Sequence, residues 1–231
     1  MNMKPDDLNR LHEVFAGKGL LLAGDISSPV EKLCCYVVYN FLRSTKNEKV
    51  IWVATDDPYE KVVERFAEYD YNIRQYLSRF CFVDLISLKS GADTKENPHV
   101  KYVQDPGNLT ELSLAISEHM EEGKTGMVVL YIMNSLLIYN ELPRALEFTR
   151  VLVARAFEKK FALLAGYIEG EYDERARTAI ELSMDAVAKF EGECLHMLTT
   201  KESRCFSVSF GKDRLKVSEA EGKCQGGKPG F

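Results

Sequence analysis

Two adjacent carboxylates, Asp56 and Asp57, follow the β-branched and aromatic run Lys49 to Ala54, and a third, Glu31, follows the small-residue loop Gly24-Asp25-Ile26-Ser27-Ser28-Pro29-Val30. Carboxylates that meet at the carboxyl end of a sheet can hold a divalent cation or act as general acid and base. The loop lies between an apolar run, Leu20 to Ala23, and a helical pattern from about Val30 to Arg43. A first strand-to-helix loop of this kind is the favoured cradle for phosphate. The simpler reading of Asp56 and Asp57 is structural. They precede Pro58, where a carboxylate caps the free N–H groups of a first helical turn.

Other candidates for chemistry are weaker. The six cysteines (Cys34, Cys35, Cys81, Cys194, Cys205, Cys224) show no CxxC and no paired zinc spacing. Cys34 and Cys35 fall in an apolar helix pattern and Cys81 in an apolar strand, where a free thiol behaves as a small hydrophobe. Cys194, Cys205 and Cys224 could converge with His196 on a metal, although their spacing is irregular. His99 and His119 read as isolated and exposed, and His12 as facing the polar side of the first helix. No Ser/His/Asp or Cys/His constellation stands out.

The elements that must position these groups alternate along the chain. Asp6 to Ala16 reads as an amphipathic helix with Leu8, Leu11, Val14 and Phe15 on one stripe. Strand patterns follow at Leu20 to Ala23, Lys49 to Ala54, Arg79 to Ile86, Met127 to Ile132 and Phe161 to Ile168, with Val100 to Val103 a short edge strand. Helical patterns lie between them, at Tyr59 to Tyr69, Asn108 to Glu122, with Asn108 and Glu111 as a capping box, and Leu142 to Lys159. Thr178 to Ser183 is helical too. From Asp185 the pattern becomes short alternating runs, Ala186 to Glu191, Cys194 to Thr200 and Cys205 to Phe210, which predict antiparallel strands on one edge. Strands alternating with helices imply right-handed crossovers and a mostly parallel sheet covered on both faces.

A length of 231 residues suits one α/β domain, taken as residues 1–217 with a disordered tail at 218–231. With 45% hydrophobic and 28% charged residues the chain should bury a real core. Its net charge of -5 is spread along the whole sequence, so no positive field attracts nucleic acid or anionic lipid. The longest apolar stretch, Met127 to Ile138, is too short for a membrane span, and Met1 to Asp25 lacks a signal-peptide n-region. A cytoplasmic location is expected.

The run Leu20-Leu21-Leu22-Ala23-Gly24-Asp25-Ile26-Ser27-Ser28-Pro29-Val30-Glu31 resembles the KaiC and RecA-like sequence of apolar strand, G-x-P-G-S-G-K-[ST] and helix. Gly24 and Ser28 match. The loop glycines become Ser27 and Pro29, the phosphate lysine becomes Val30, and the Mg²⁺-binding hydroxyl becomes Glu31. Pro29 brings no N–H to a phosphate nest, Val30 brings no cation, and Glu31 sets a negative charge against a polyphosphate. Lys32 is one register away.

Val50 to Pro58 is similar to the family's second strand with its paired catalytic carboxylates. The resemblance places Asp56 and Asp57 where a general base would stand, one methylene shorter than the usual glutamates. Val128 to Asn140 resembles the Walker B strand, with Tyr131 at the position of the aspartate that supports Mg²⁺. Asn108 to Ser117 resembles the helix before it. The chain is also similar to a family of uncharacterised archaeal proteins, from Pyrococcus and its relatives, with a KaiC-like fold and degenerate Walker motifs. The resemblance implies a RecA-like (KaiC-like) α/β fold with a mostly parallel central sheet and antiparallel C-terminal edge strands. It brings no established activity.

These readings lead to a non-hydrolysing binding, scaffold or regulatory protein with no catalytic residue, no resident metal, and neither ATP nor Mg²⁺ as an expected cofactor. One alternative is a nucleotide- or metal-binding protein with weak ATPase activity, using Gly24 to Ser28 with Glu31, Asp56 and Asp57. Another is nucleic-acid binding through Tyr69, Tyr71, Tyr76 and Phe80 with Arg74 and Arg79, a segment that Glu64, Glu68 and Asp70 dilute. A protein or peptide partner, or a second copy of the chain, has two candidate surfaces. These are the apolar first helix at Leu8, Leu11 and Phe15, and the edge of the C-terminal strands, which could accept an extended peptide.

Overall fold

The structure is a computed structural model that describes residues 4–92, 94, 96–120, 124–199, 203–211 and 214–220. It opens with a 3-10 helix, Pro5–Arg10, and one α turn, α1 (Leu11–Val14), rather than the continuous helix expected. The main-chain carbonyl of Asn9 accepts from the Asn40 amide, so an acceptor that a continuous helix would use internally is taken by tertiary structure. The Asn9 side chain is also held, accepting from Tyr36 Oη at 2.6 Å and from the Leu215 N–H at 3.0 Å.

The chain continues as β1 (Gly19–Gly24), α2 (Val30–Ser44), β2 (Lys49–Ala54), α3 (Tyr59–Glu68), a 3-10 helix at Arg74–Arg79, β3 (Phe80–Asp84) and β4 (Val100–Tyr102). It proceeds through α4 (Leu109–Ser117), β5 (Gly126–Tyr131), α5 (Met133–Tyr139), α6 (Leu142–Lys159), β6 (Phe161–Ile168) and α7 (Glu174–Glu181). Four strands close it: β7 (Ala186–Glu191), β8 (Cys194–Thr199), β9 (Ser203–Phe210) and β10 (Leu215–Glu219).

All ten strands form one sheet in the order β10-β9-β8-β7-β1-β6-β5-β2-β3-β4. From β7 to β4 every neighbouring pair is parallel, and β8, β9 and β10 add antiparallel strands at one edge. Ala186 to Glu191 therefore belongs to the parallel set, paired with β1 at Leu20↔Ala186, and the antiparallel part begins one strand later than its alternation suggests. Ser218 and Glu219, expected in a disordered tail, form the end of β10, while 221–231 lie outside the described residues.

Strand side chains alternate between two cores. Leu22, Trp52, Val129 and Tyr131 face α2 and α3, where Leu33, Phe41 and Phe66 meet them. Leu21, Ile51, Val53, Val128 and Leu130 face α4, α5 and α6. Leu8, Leu11 and Phe15 are buried in the first core, so the apolar stripe proposed as a partner surface is covered by the chain itself. Among the described residues no helix is long and apolar enough to cross a membrane.

The aromatic segment around residue 75 is also structural. Tyr71 and Phe80 are buried, Tyr76 meets Tyr39 edge-on, and Arg79 donates to Leu42 O at 2.7 Å, Thr45 O at 3.0 Å, Thr45 Oγ1 at 2.6 Å and Glu48 O at 2.9 Å. One guanidinium thus ties the end of α2 to the start of β2. Arg79→Ala is expected to cost about 2–3 kcal/mol in urea denaturation, with Arg79→Lys recovering only part because the planar fork is lost.

His12 is buried rather than on a polar face, 2.8 Å from Ser44 Oγ and edge-on to the Phe41 ring. Burial lowers its pKa, with Glu13 opposing and Arg10 assisting. The unfolded chain therefore binds this proton more readily, and the stability held above an unfolded pKa of about 6.5 should be lost as pH falls below that value. Stability measured against pH should fall less over this window in His12→Gln than in the parent.

Candidate functional site

The loop between β1 and α2 folds onto itself. Asp25 Oδ1 accepts from the Ser27 N–H at 2.8 Å and from Ser27 Oγ at 2.6 Å, and Asp25 O accepts from the Ser28 N–H at 3.0 Å and Ser28 Oγ at 2.5 Å. Those bonds to Ser27 are the main reason the Asp25 carboxyl lies below its usual range. Ser28 closes over Gly24 so tightly that a Cβ there would meet Ser28 Oγ at 2.2 Å and Val30 Cγ2 at 3.0 Å. Val30 is fully buried, so its side chain serves as core. Ile26 projects at the tip, 87% exposed. Lys32 turns away, with Nζ 5.0 Å from the Phe210 ring centroid and 5.7 Å from that of Tyr69.

Glu31, on the first turn of α2, does not point to a free anion site. Arg65, two turns into α3, places Nη1 2.6 Å from Glu31 Oε1 and bonds Asp57 through Nη2. Tyr69 Oη donates to the second Glu31 oxygen at 3.1 Å, and Lys61 Nζ reaches Asp57 Oδ1 at 3.0 Å. Spacing explains the constellation, since Lys61 and Arg65 lie four apart on one face of α3 and Asp57, four residues before Lys61, sits just ahead of the helix on the same side. Burial works against the charge of Arg65, but Glu31 and then Asp57 raise its pKa. For Asp57 burial is again the opposing influence, and the bonds from Lys61 and Arg65 bring its carboxyl below the ordinary value.

Asp56 is treated differently. Ser135, on the first turn of α5, donates its hydroxyl to Asp56 Oδ1. Burial raises the Asp56 pKa, the neighbouring carboxylates of Asp57 and Glu171 raise it further, and only the Ser135 bond and the more distant Arg65 oppose them. Neither aspartate caps α3. That role falls to Asp84 at the end of β3, a buried carboxylate that accepts from the Tyr59 N–H at 3.1 Å and from the N–H groups of Ile86 and Ser87.

Tyr131 ends β5, and its ring lies on Gly166 of β6, where a Cβ would come within 2.6 Å of Tyr131 Cδ2. Burial, followed by the Glu31 carboxylate, keeps its phenol protonated well above the usual range. The next peptide, Tyr131-Ile132, is cis, and Thr55 Oγ1 binds both sides of it, donating to Tyr131 O and accepting from the Ile132 N–H, each at 2.9 Å. Thr55 also follows Ala54 directly into the two aspartates.

Together these groups line a cleft of about 250 Å³ at the carboxyl ends of β2 and β5, walled by Glu31, Cys35, Trp52, Ala54, Thr55, Asp56, Asp57, Val62, Arg65, Tyr131 and Ile132. Of the expected residues, Glu31, Asp56, Asp57 and Tyr131 meet here, whereas Gly24, Asp25, Ser27, Ser28 and Val30 are not in its wall. Arg65, Ser135 and Thr55 are the residues that sequence reasoning missed. The interval of four from Asp57 was a usable signal for Arg65, and no local pattern marked the other two.

Glu31 and Asp57 converge on a guanidinium, and no group of three His, Cys, Asp or Glu able to hold a metal occurs among the described residues. The C-terminal alternative reduces to a pair, Cys205 Sγ 3.7 Å from His196 Nε2, with Cys224 outside the described residues. His99 and His119 are half-buried and far from both arrangements in sequence.

A mostly parallel sheet with helices on both faces and these strand-end loops defines a RecA-type, KaiC-like fold, and the solved structures agree. An uncharacterized protein from Pyrococcus horikoshii, PH0321, solved in complex with an unknown peptide, matches at a TM-score of 0.71 and 17% identity over 93% of this chain and 97% of that one. The flagellar accessory protein FlaH of Methanocaldococcus jannaschii matches at 0.61 and 15% over 95% and 98%, and the KaiC-like protein PH0186 of P. horikoshii at 0.58 and 11% over 88% and 90%. No protein-family model and no curated protein matches the chain. At these identities the likeness is one of fold.

Arg65→Ala would leave Glu31 and Asp57 without their shared counter-charge. We expect a loss of about 2 kcal/mol, below the range for fully buried pairs because all three groups keep some solvent contact. Millimolar Mg²⁺ or Ca²⁺ should then raise the melting temperature of Arg65→Ala and leave that of the parent unchanged. Equal behaviour of the two proteins in a divalent-cation titration would contradict this account of the site.

Proposed function

We propose that this KaiC-like chain is a cytoplasmic binding or scaffold protein that captures a protein or peptide partner and does not hydrolyse ATP. The observation that carries the reading is the Arg65 guanidinium bound to both Glu31 and Asp57, at the two positions where the family resemblance places Mg²⁺ and the catalytic carboxylate. A nucleotide polyphosphate would meet the carboxylates of Asp25 and Glu31 with no lysine in register to offset them. It would also have to displace Asp25 from the Ser27 N–H. The residues present do not fit ATP with Mg²⁺, and no step of hydrolysis can be routed through them.

A retained scaffold with altered strand-end chemistry suits recognition rather than turnover. The peptide in the complex of P. horikoshii PH0321 supports a peptide as the class of partner. Self-association is the other form that such capture could take.

Calorimetry of the purified protein with ATP and ADP, each with and without Mg²⁺, tests the reading. We expect no binding heat and no shift in melting temperature at millimolar nucleotide. Micromolar binding, or Mg²⁺-dependent release of phosphate that disappears in Asp57→Ala, would overturn it in favour of a nucleotide-binding protein with slow turnover.

A further inference from the structure

The charges around the cleft do not balance. Glu31 and Asp57 are matched by Arg65 and Lys61, but Asp56 has only the Ser135 hydroxyl and no cation within ion-pair distance among the described residues. Glu171 adds a second carboxylate nearby, itself engaged by the Asn134 amide at 2.7 Å rather than by a cation. Asp56 stands at the exposed mouth of the cleft with two further carboxylates near it, and an incoming positive charge would relieve their mutual repulsion.

The walls narrow the choice of cation. The rings of Trp52 and Tyr131, with centroids 6.1 Å apart, both line the cleft, and aromatic faces attract ammonium and guanidinium groups. Trp52 is 2% exposed, and its indole Nε1 has no hydrogen-bond partner among the described residues. The volume of about 250 Å³ is also below the roughly 300–1,000 Å³ of pockets that enclose whole small-molecule ligands, and suits one long side chain.

We infer that the cleft receives a lysine or arginine side chain of a partner peptide, with Asp56 as its counter-charge and Tyr131 and Trp52 as its aromatic walls. This rests on the peptide-binding reading above and names what that site selects. The residues are close because β2 and β5 are neighbours in the sheet, with Tyr131 paired to Ala54 and Asp56 following two residues later.

The test is a positional library of capped hexapeptides in which each pool fixes one residue at the third position, with Trp52, the only tryptophan, as a fluorescent reporter inside the cleft. Arginine and lysine pools should bind at least tenfold more tightly than norleucine and citrulline pools and should change Trp52 emission. Asp56→Asn, which keeps a partner for Ser135, should erase that preference, while Ser135→Ala, which keeps the charge, should retain it. Binding of all pools alike, or a basic preference that survives Asp56→Asn, would sink the inference and leave peptide binding standing. Absence of binding by every pool would remove both.

Discussion

The site is organised by one guanidinium shared between two carboxylates. Glu31 starts α2 and Asp57 precedes α3, and each would be poorly placed beside the other without a positive charge between them. Arg65 supplies that charge from within the chain. A planar fork with five donors can face two carboxylates at once, which an ammonium cannot do with the same fixed geometry. The helices on this face are thereby joined by an internal cation. Tyr69, bonded to the second oxygen of Glu31, and Lys61, on Asp57, complete the arrangement.

Much of the fold was legible because its signals are local and periodic. Continuous apolar runs marked β1, β2, β3, β5 and β6, and Asn108 capped α4 as its spacing with Glu111 predicts. The failures have physical causes. α5 was missed because it continues an apolar strand without a break, so Met133 to Tyr139 carries no change of period. β7 was assigned to the antiparallel set because alternation reports one-sided burial and says nothing of strand direction. His12 was misplaced because the first helix was taken as regular, whereas bonds to Asn9 divide it.

The site was legible in its identities but not in its contacts. Sequence placed Glu31, Asp56, Asp57 and Tyr131 at the ends of the right strands and helices, and the structure brings all four to one cleft. It could not show that Asp84, twenty-seven residues after Asp57, would cap α3 and so free Asp57 for Arg65. Nor could it show that Ser135 would reach Asp56 from the helix that follows β5, a contact that depends on the pairing of β2 with β5. Long-range contacts of this kind follow from topology, which residue patterns constrain only loosely.

The packing of Tyr131 on Gly166 limits what else this part of the chain can hold. An aspartate at 131 would leave the space above Gly166 empty and would bring another carboxylate beside Glu31 and Asp57. A lysine at 30 would have to leave a fully buried position and force Ser28 away from Gly24. Both positions are locked into their neighbours, so neither substitution can be made alone without opening a gap or stranding a charge in the present packing.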